Sequence, residues 1–296
     1  MSARDLALAL FVAALWGANF SVIKLGLAGI DPYLLAALRF LLCAFPAVLF
    51  VPRPAVPVRV LAAYGVLFGV LLWGLVFAGI QAGVSAGLAS LVLQAAAFFT
   101  VLAGALHFRE RIAPHQILGC VCALAGIAAI FGISDGSASA AGLLLVLAGA
   151  AAWAYANLLV KRAGSGNMLA FLVWSSLAAP LPLLAIACMR IGADGVAHTM
   201  LNLNARAVGS LVFQAYVATL FGYAVWNGLL RKYALAQVAP LSLLVPVFGV
   251  ATSRLVFGEA LGSLKLAAML AIVAGLAINQ FGGRLPAREL LRRRGS

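Results

Sequence analysis

The sequence predicts an all-α integral membrane protein of ten transmembrane helices, arranged as two inverted five-helix repeats. Of the 296 residues, 65% are hydrophobic and 9% are charged, and the mean hydropathy is +1.13. Soluble chains carry about 25% charged residues. The apolar runs are about 20 residues long, which is the length that a helix needs to cross the hydrocarbon of a bilayer. They are apolar throughout rather than alternating, which indicates helices and not the strands of a barrel.

Short segments rich in Gly, Pro, Asp and Asn separate the apolar runs, and these residue types favour turns. Asp31-Pro32 and Pro52-Arg53-Pro54 are two examples. The pattern therefore predicts ten spans joined by short loops, with no sizeable soluble domain. The predicted spans cover residues 6–27, 33–51, 60–80, 84–106, 114–132, 139–161, 168–189, 207–230, 236–257 and 263–282.

The second half of the chain repeats the first. Residues 89–110 read ASLVLQAAAFFTVLAGALHFRE and residues 238–259 read VAPLSLLVPVFGVATSRLVFGE, so both end in Phe-x-Glu, 149 residues apart. An earlier pair, WGANFSVIK from Trp16 and WAYANLLVK from Trp153, matches at an offset of 137 residues. The difference indicates extra loop in the second half, and the polar stretch 189–206 is where it fits.

Five helices per repeat is an odd number, so the second repeat must enter the membrane from the opposite side. We expect the first repeat in residues 1–135, the second in 136–284 and a basic tail in 285–296. Inverted repeats let one half of a carrier move against the other around a central site, which is how alternating access works. The duplication therefore indicates a transporter, although a duplication that only enlarges a helical bundle would give the same pattern.

The net charge of +13 indicates membrane orientation rather than nucleic-acid binding. Lys and Arg lie at the ends of the spans and not along one helix face. With the N-terminus inside, 14 of the 20 basic residues fall on the inner side, and an excess of positive charge marks the cytoplasmic side. The sequence thus predicts cytoplasmic termini and no nucleic-acid partner. The first apolar run lacks a clear cleavage site, and we interpret it as a retained helix.

Polar side chains inside a bilayer are costly unless they face the bundle interior or a wet cavity. Trp16 and Asn19 are three residues apart on the first helix, and Trp153 with Asn157 forms the corresponding pair in the second repeat. An aromatic ring and an amide from each half would suit a substrate site on the pseudo-twofold axis. Hydrogen bonding and packing between helices is the alternative.

A lone arginine, Arg39, lies inside the second span and has no counterpart in the second half. Its guanidinium stays charged and must find an anion, carbonyl groups or water. A substrate carboxylate is one candidate, and loop carbonyls near the outer face are another. Gln94 adds an amide in the middle of the fourth span.

Two prolines, Pro240 and Pro246, interrupt the ninth span, which makes it a candidate moving element; a static kink is the alternative. Tyr223 and Trp226 lie with Tyr216 on one stripe of the eighth span, a pattern that more often means packing than binding. We include Tyr223 and Trp226 among the candidate cavity residues.

Acidic residues are confined to predicted helix ends, loops and tails, so no buried carboxylate near the membrane centre is available to couple transport to protons. Glu110 and Glu259 are predicted to form ion pairs at helix ends, for instance with Arg109, Arg111 or Arg254. Exchange, uniport and proton coupling all remain open. The four cysteines form no metal or disulfide pattern, and we predict no cofactor and no metal site.

Several segments resemble the EamA-type carriers of the drug/metabolite transporter superfamily. They are WGANFSVIKLG, LAALRF at 35–40, GLASLVLQAAAFFTVLAGALHFRERI at 87–112 and VAPLSLLVPVFGVATSRLVFGEAL at 238–261. The resemblance covers nearly the whole chain and is closest to exporters of O-acetylserine and cysteine. It implies ten helices, the bacterial inner membrane, cytoplasmic termini and efflux of small amino-acid metabolites.

Other substrates and one other class of protein are compatible with the sequence. Relatives in this family also carry other amino acids, nucleosides and amphipathic drugs. A membrane-embedded enzyme acting on lipids would instead need His, Asp or Glu clustered at one interface, and the chain has no such cluster. We therefore predict a transporter rather than an enzyme, with a small-molecule substrate, a lipid environment and small-residue faces that would also suit a homodimer.

Overall fold

Long apolar helices account for almost all of the computed structural model, which describes residues 1–109, 111–133, 136–163, 166–233 and 235–282. Within these ranges nine helices are long and apolar enough to cross a membrane, and a tenth, Leu241–Phe257, is shorter. The predicted fold class is confirmed. The helices are α1 (Ala3–Gly26), α2 (Pro32–Ala44), α3 (Val58–Gln81), α4 (Ala86–Val92 and Ala95–Phe108), α5 (Pro114–Phe131), α6 (Ala140–Ala163), α7 (Met168–Leu201), α8 (Ala205–Lys232), α9 (Leu235–Val238 and Leu244–Phe257) and α10 (Ser263–Phe281).

Side-chain caps fix where several helices begin, because the first backbone N–H groups of a helix have no partner within it. Ser2 accepts a hydrogen bond from the N–H of Asp5, and Asp31 accepts bonds from the first turn of α2. Ser85 caps α4, and Asn204 caps α8. These caps place the starts of α1, α2, α4 and α8 at Ala3, Pro32, Ala86 and Ala205. We call the side that holds the start of α1 the near face and the opposite side the far face.

The second span was expected to reach residue 51. The regular α-helix of α2 ends at Ala44, because Pro46 has no N–H and the preceding residue, Phe45, is extended, and a 3₁₀ turn at Ala47–Leu49 continues the span to within two residues of that boundary. The stretch 189–206 was expected to be loop. Instead α7 changes direction at Gly192, where φ is +75°, and continues as helix to Leu201.

Irregular segments occur at matching places in the two repeats. π-Helical turns interrupt α3 at Val66–Gly74 and α8 at Phe213–Phe221, the third helix of each repeat. The fourth helix of each repeat is broken as well: α4 at residues 93–94 and α9 at Ala239–Leu243. π-Helical turns are found frequently at functional sites. The symmetry of these defects fits two inverted copies of one five-helix unit.

The first helix packs closely on the ninth, one from each repeat. A Cβ atom added at Gly17 would lie 2.6 Å from the carbonyl oxygen of Val245 and 2.6 Å from the Cβ of Phe248. One added at Gly249 would lie 2.3 Å from the hydroxyl of Ser90 on α4. Glycine at both positions therefore lets the backbones of α1, α4 and α9 meet, and this crossing fixes the depth at which α1 presents its polar residues.

The predicted domain boundaries at 135 and 284 stay predictions, as does the homodimer. The basic tail, residues 285–296, and Glu110 lie outside the described residues.

Candidate substrate site

Arg39 lies in the interior of the bundle and is 2% exposed. It lies seven residues after Pro32, the first residue of α2, and therefore about 10 Å from the far-face end of that helix at 1.5 Å per residue. Its Nη2 donates a hydrogen bond to the hydroxyl of Thr219 on α8, at 3.1 Å. Its guanidinium carbon lies 4.1 Å from the ring centroid of Trp73 on α3. Among the described residues, the hydrogen bond of Arg39 thus goes to a helix side chain and not to the loop carbonyls that were one of its two predicted partners.

No described residue offers a partner to the Nε and Nη1 atoms of Arg39, although both are fully buried. The carboxylates that form ion pairs in the described part of the chain bind other cations: Asp5 binds Lys232, Asp31 binds Arg190 and Glu259 binds Lys24. An unpaired charge inside a bundle costs several kcal/mol. As far as the structure describes the chain, the site thus holds a cation with unused hydrogen-bond donors and no paired anion.

The π-helical turns of α3 and α8 build the walls around this cation. On α8, the hydroxyl of Thr219 donates to the carbonyl of Gln214, five residues earlier, which orients its oxygen to accept from Arg39. On α3, Trp73 lies in the irregular stretch itself, and Phe77 follows one turn later with its ring centroid 5.7 Å from the guanidinium. Aromatic faces attract cations and partly offset the lost hydration.

Three further polar atoms in this region are buried and have no partner among the described residues. They are Asn19 Oδ1 on α1, Gln214 Oε1 on α8 and the indole N–H of Trp73. Asn19 is 3% exposed and Gln214 is 0% exposed. Buried polar groups in native structures are nearly always hydrogen-bonded, and each exception needs an explanation. Unpaired donors and unpaired acceptors together point to a ligand that carries both hydrogen-bond acceptors and hydrogen-bond donors.

Trp16 joins the site to an aromatic cluster on α8. Its indole N–H donates to the carbonyl of Ala218 at 2.8 Å, and its ring lies 5.3 Å from Tyr223 and 5.1 Å from Trp226. Of the predicted candidates, Trp16, Tyr223 and Trp226 are in contact. Arg39 contacts Thr219, the residue that follows Ala218, and Asn19 lies one turn from Trp16 on α1. The predicted stripe does not extend to Tyr216, whose hydroxyl donates to the carbonyl of Phe45.

The second predicted pair lies elsewhere. Asn157 is exposed, and its amide donates to the hydroxyl of Thr100 on α4 at 3.3 Å. Trp153, one turn away, packs against the hydrophobic core. The two pairs, equivalent in sequence, therefore contact different helices: Trp16 and Asn19 lie beside α8, whereas Asn157 lies beside α4.

Gln94 and the two prolines lie at the breaks of α4 and α9. Gln94 is half-buried and begins the second part of α4. Pro246 is buried in the first turn of Leu244–Phe257, where a missing N–H costs nothing. Pro240 lies in the 3₁₀ segment Ala239–Leu243, and nothing is described of its side chain. Because α4 breaks at the equivalent place without proline, the prolines are not the sole cause of the break.

Sequence reasoning missed Trp73, Gln214 and Thr219. Gln214 is, like Gln94, a lone amide inside an apolar run. The reasoning that selected Gln94 could therefore also have selected Gln214. Trp73 and Thr219 gave no such signal, because both are common within membrane helices. Their role depends on contact with Arg39, which is 180 residues from Thr219 in sequence.

Ion pairs join helices at both faces of the bundle. On the near face, Asp5 accepts hydrogen bonds from Lys232 Nζ and from the hydroxyl of Tyr233, both at 2.5 Å. On the far face, Lys24 binds Glu259 at 3.0 Å and Arg190 binds Asp31 at 2.9 Å. Glu259 was predicted to pair at a helix end, which it does, although with Lys24 rather than Arg254.

A cavity opens at each face. The far-face cavity has a volume of about 560 Å³ and is lined by Asp31, Gln81 and Arg190 among others. The near-face cavity has a volume of about 300 Å³ and extends along α8 to Ala224 and Asn227, beside Tyr223. Because Arg39 is almost completely buried, neither cavity gives it open contact with solvent.

An inverted-repeat helical bundle with a buried polar site between its halves is the architecture of a membrane transporter. The chain belongs to the EamA-like transporter family, whose sequence profile matches it twice, at residues 4–132 and 140–280. Family membership agrees with the prediction of a multi-pass transporter rather than an enzyme.

Two curated relatives match along nearly their whole length. One, from Salmonella typhimurium, is 42% identical over 96% of this chain and 97% of its own, and one from Escherichia coli is 39% identical with the same coverage. Both are named "Probable amino-acid metabolite efflux pump". A protein crystal structure at 18% identity matches with a TM-score of 0.53, covering 94% of this chain and 98% of that one. At this identity the likeness concerns the fold alone.

Proposed function

We propose that this protein exports small amino-acid metabolites of the cysteine and O-acetylserine class, and that Arg39 binds the substrate carboxylate. The observation that carries the proposal is the buried guanidinium, two of whose nitrogens have no partner among the described residues. A carboxylate would supply both the missing charge and the missing acceptors, and arginine suits its planar geometry. The names of the two relatives support amino-acid metabolites as the class of cargo.

The same cation argues against the alternatives. Amphipathic drugs that carry a positive charge would be repelled by Arg39, and nucleosides carry no anionic group to pair with it. An amino acid with a small side chain satisfies the charge beside the rings of Trp73 and Phe77, whose centroids lie 4.1 Å and 5.7 Å from the guanidinium carbon.

Export proceeds by alternating access in this proposal. Substrate enters from the near-face cavity, which approaches Tyr223, and leaves at the far face after the Lys24–Glu259 and Asp31–Arg190 pairs separate. Separation of Asp5 from Lys232 and Tyr233 would open the near side. The breaks in α4 and α9 and the π-helical turns in α3 and α8 are the places where these helices have the least regular hydrogen bonding.

Uptake into inverted membrane vesicles tests the function. We expect labelled cysteine and O-acetylserine to enter vesicles that contain the protein. Vesicles preloaded with unlabelled substrate should take up label faster, since alternating access lets a loaded carrier return more readily. Cysteamine, which has the amine and thiol of cysteine but no carboxylate, should compete poorly. Uptake that cysteamine blocks as well as cysteine does would contradict the role of Arg39, and the absence of any amino-acid uptake would contradict the function.

The protein is proposed to lie in the bacterial inner membrane, with the near face and both termini in the cytoplasm. Single-cysteine variants at Ser137 and Arg162, in a background without the native cysteines, test this orientation. A membrane-impermeant thiol reagent applied to whole cells is expected to label the cysteine at 137 and not the one at 162. The reverse pattern would place the far face inside.

A further inference from the structure

The unpaired acceptors beside Arg39 point to a second subsite, which rests on the proposed function. We infer that the amide oxygens of Gln214 and Asn19 bind the α-ammonium group of the substrate, so that the site recognises a zwitterion through two neutral acceptors and one cation. In this assignment, Arg39 and the Trp73 indole hold the carboxylate.

The two amides lie at one depth on neighbouring antiparallel helices. Trp16 on α1 donates to the carbonyl of Ala218 on α8, and Ser210 on α8 donates to the carbonyl of Val22 on α1. Asn19 lies midway between Trp16 and Val22. Gln214 lies midway between Ala218 and Ser210, so the register of α1 on α8 brings the two residues opposite each other.

Asn19 lies on the side of α1 that faces α8. At 100° per residue its direction falls between those of Trp16 and Val22, both of which contact α8. Gly17 and Ser21, on another side of the helix, contact α9 instead. Axes of packed helices are about 8–10 Å apart, so amide side chains that face each other across this gap can share one ammonium group.

The orientation of the Gln214 amide follows from its neighbour. The hydroxyl hydrogen of Ser210 is used on the carbonyl of Val22, so its oxygen can only accept from Gln214. Nε2 of Gln214 is the donor in that bond, at 2.8 Å. The amide oxygen must therefore be the free end, directed away from Ser210. An ammonium group has three N–H donors and no acceptor, which is the complement that such an oxygen lacks.

Thr219 links the two subsites. Its hydroxyl accepts from Arg39 and donates to the backbone carbonyl of Gln214, at 3.1 Å and 2.7 Å. One hydroxyl group therefore joins the guanidinium to the backbone of Gln214, the residue that carries the unpaired amide oxygen.

Neutral acceptors suit this position better than a carboxylate. An aspartate or glutamate here would pair with Arg39 in the absence of substrate and fill the anion subsite. Amide oxygens attract an ammonium group without competing for the arginine. The arrangement explains why the bundle holds a buried cation while the described carboxylates lie near its two faces.

Binding measurements on the purified full-length protein test the inference, with cysteine and its desamino analogue 3-mercaptopropionate as probes. Isothermal titration is expected to give the wild type at least about tenfold tighter binding of cysteine, since a hydrogen bond to a charged group contributes about 1.5–3 kcal/mol. Gln214→Met should weaken cysteine binding by about tenfold and leave 3-mercaptopropionate unchanged. Binding of that acid also shows that the variant is folded. Gln280→Met, on α10, is the matched control and should change neither value.

Each other outcome overturns the inference in a distinguishable way. Equal affinity of the wild type for cysteine and 3-mercaptopropionate would remove the ammonium subsite and leave the carboxylate site of Arg39 standing. Loss of both affinities in Gln214→Met, with thermal unfolding like that of the wild type, would mean that Gln214 only positions Arg39. Binding of neither probe by the wild type would overturn the proposed function together with the inference. If Gln214→Met does not fold, Asn19→Leu gives the same readout with the same expected result.

Discussion

Arg39→Met is expected to abolish uptake of cysteine and O-acetylserine while leaving the protein at least as stable as the wild type. Removing one partner of a buried charge pair costs about 2–5 kcal/mol of binding, so uptake should fall by about 30-fold or more. For the substrate-free protein, we expect the same substitution to leave stability unchanged or to raise it. Replacing a buried ion by an apolar side chain of similar volume is often neutral or stabilising by about 1–4 kcal/mol. Uptake in vesicles and thermal unfolding in detergent measure the two effects.

Two further variants separate charge from geometry. Arg39→Lys keeps the positive charge but loses the planar fork, and we expect it to recover only part of the uptake. Arg206→Met removes an exposed arginine from the start of α8 and should alter neither uptake nor stability. If Arg39→Met instead destabilised the protein, the contacts of Arg39 with Thr219 and Trp73 would be structural. The proposed role of Arg39 in substrate binding would then be contradicted.

Gly17→Ala is expected to destabilise the protein by roughly 2 kcal/mol and to reduce transport. The added methyl group would lie 2.6 Å from the carbonyl oxygen of Val245 and 2.7 Å from the backbone nitrogen of Gly249. Backbone atoms cannot move aside as a flexible side chain can, and overpacking costs about 1–3 kcal/mol. α1 would shift away from α9, taking Trp16 and Asn19 out of register with α8. Thermal unfolding and vesicle uptake report the two consequences.

The chain offers a matched control for this substitution. Gly228 lies within α8, and a Cβ added there would meet nothing within 4 Å. Gly228→Ala should therefore be neutral or stabilising by up to about 1 kcal/mol through helix propensity alone. Equal stability of Gly17→Ala and Gly228→Ala would show that α1 and α9 are farther apart than in the structure described here.

Much of the fold could be predicted because membrane insertion is a local property. A run of about 20 apolar residues must be helical in lipid, whatever surrounds it. The helix boundaries that differ from the prediction have local causes that are visible in the sequence. Pro46 ends the regular α-helix of α2 within its span, and the segment after Gly192 contains enough helix-forming residues to continue α7 beyond the turn. The breaks in α4 and α9 are different, since no single residue type accounts for both.

The candidate site could be predicted only in part. Arg39 was evident because a guanidinium inside an apolar run always needs an explanation. Trp16 with Asn19 and Trp153 with Asn157 looked alike, but Trp16 contacts α8 beside the candidate site, whereas Asn157 contacts Thr100 on α4. The rotation and neighbours of each helix decide this outcome, and neither is encoded in the spacing of residues along one helix.

The sequence alone is enough to predict that the chain lies in a membrane, that it has ten spans, and that its halves are inverted copies. Length, hydropathy and the odd number of spans in each repeat are enough for these conclusions. The tertiary structure was needed to find which polar groups form the candidate site: Arg39, Trp73, Asn19 and Gln214 come from four helices, α2, α3, α1 and α8. Their meeting depends on close crossings such as that at Gly17 and Gly249, since a shift of one helical turn would separate the cation from the acceptors beside it.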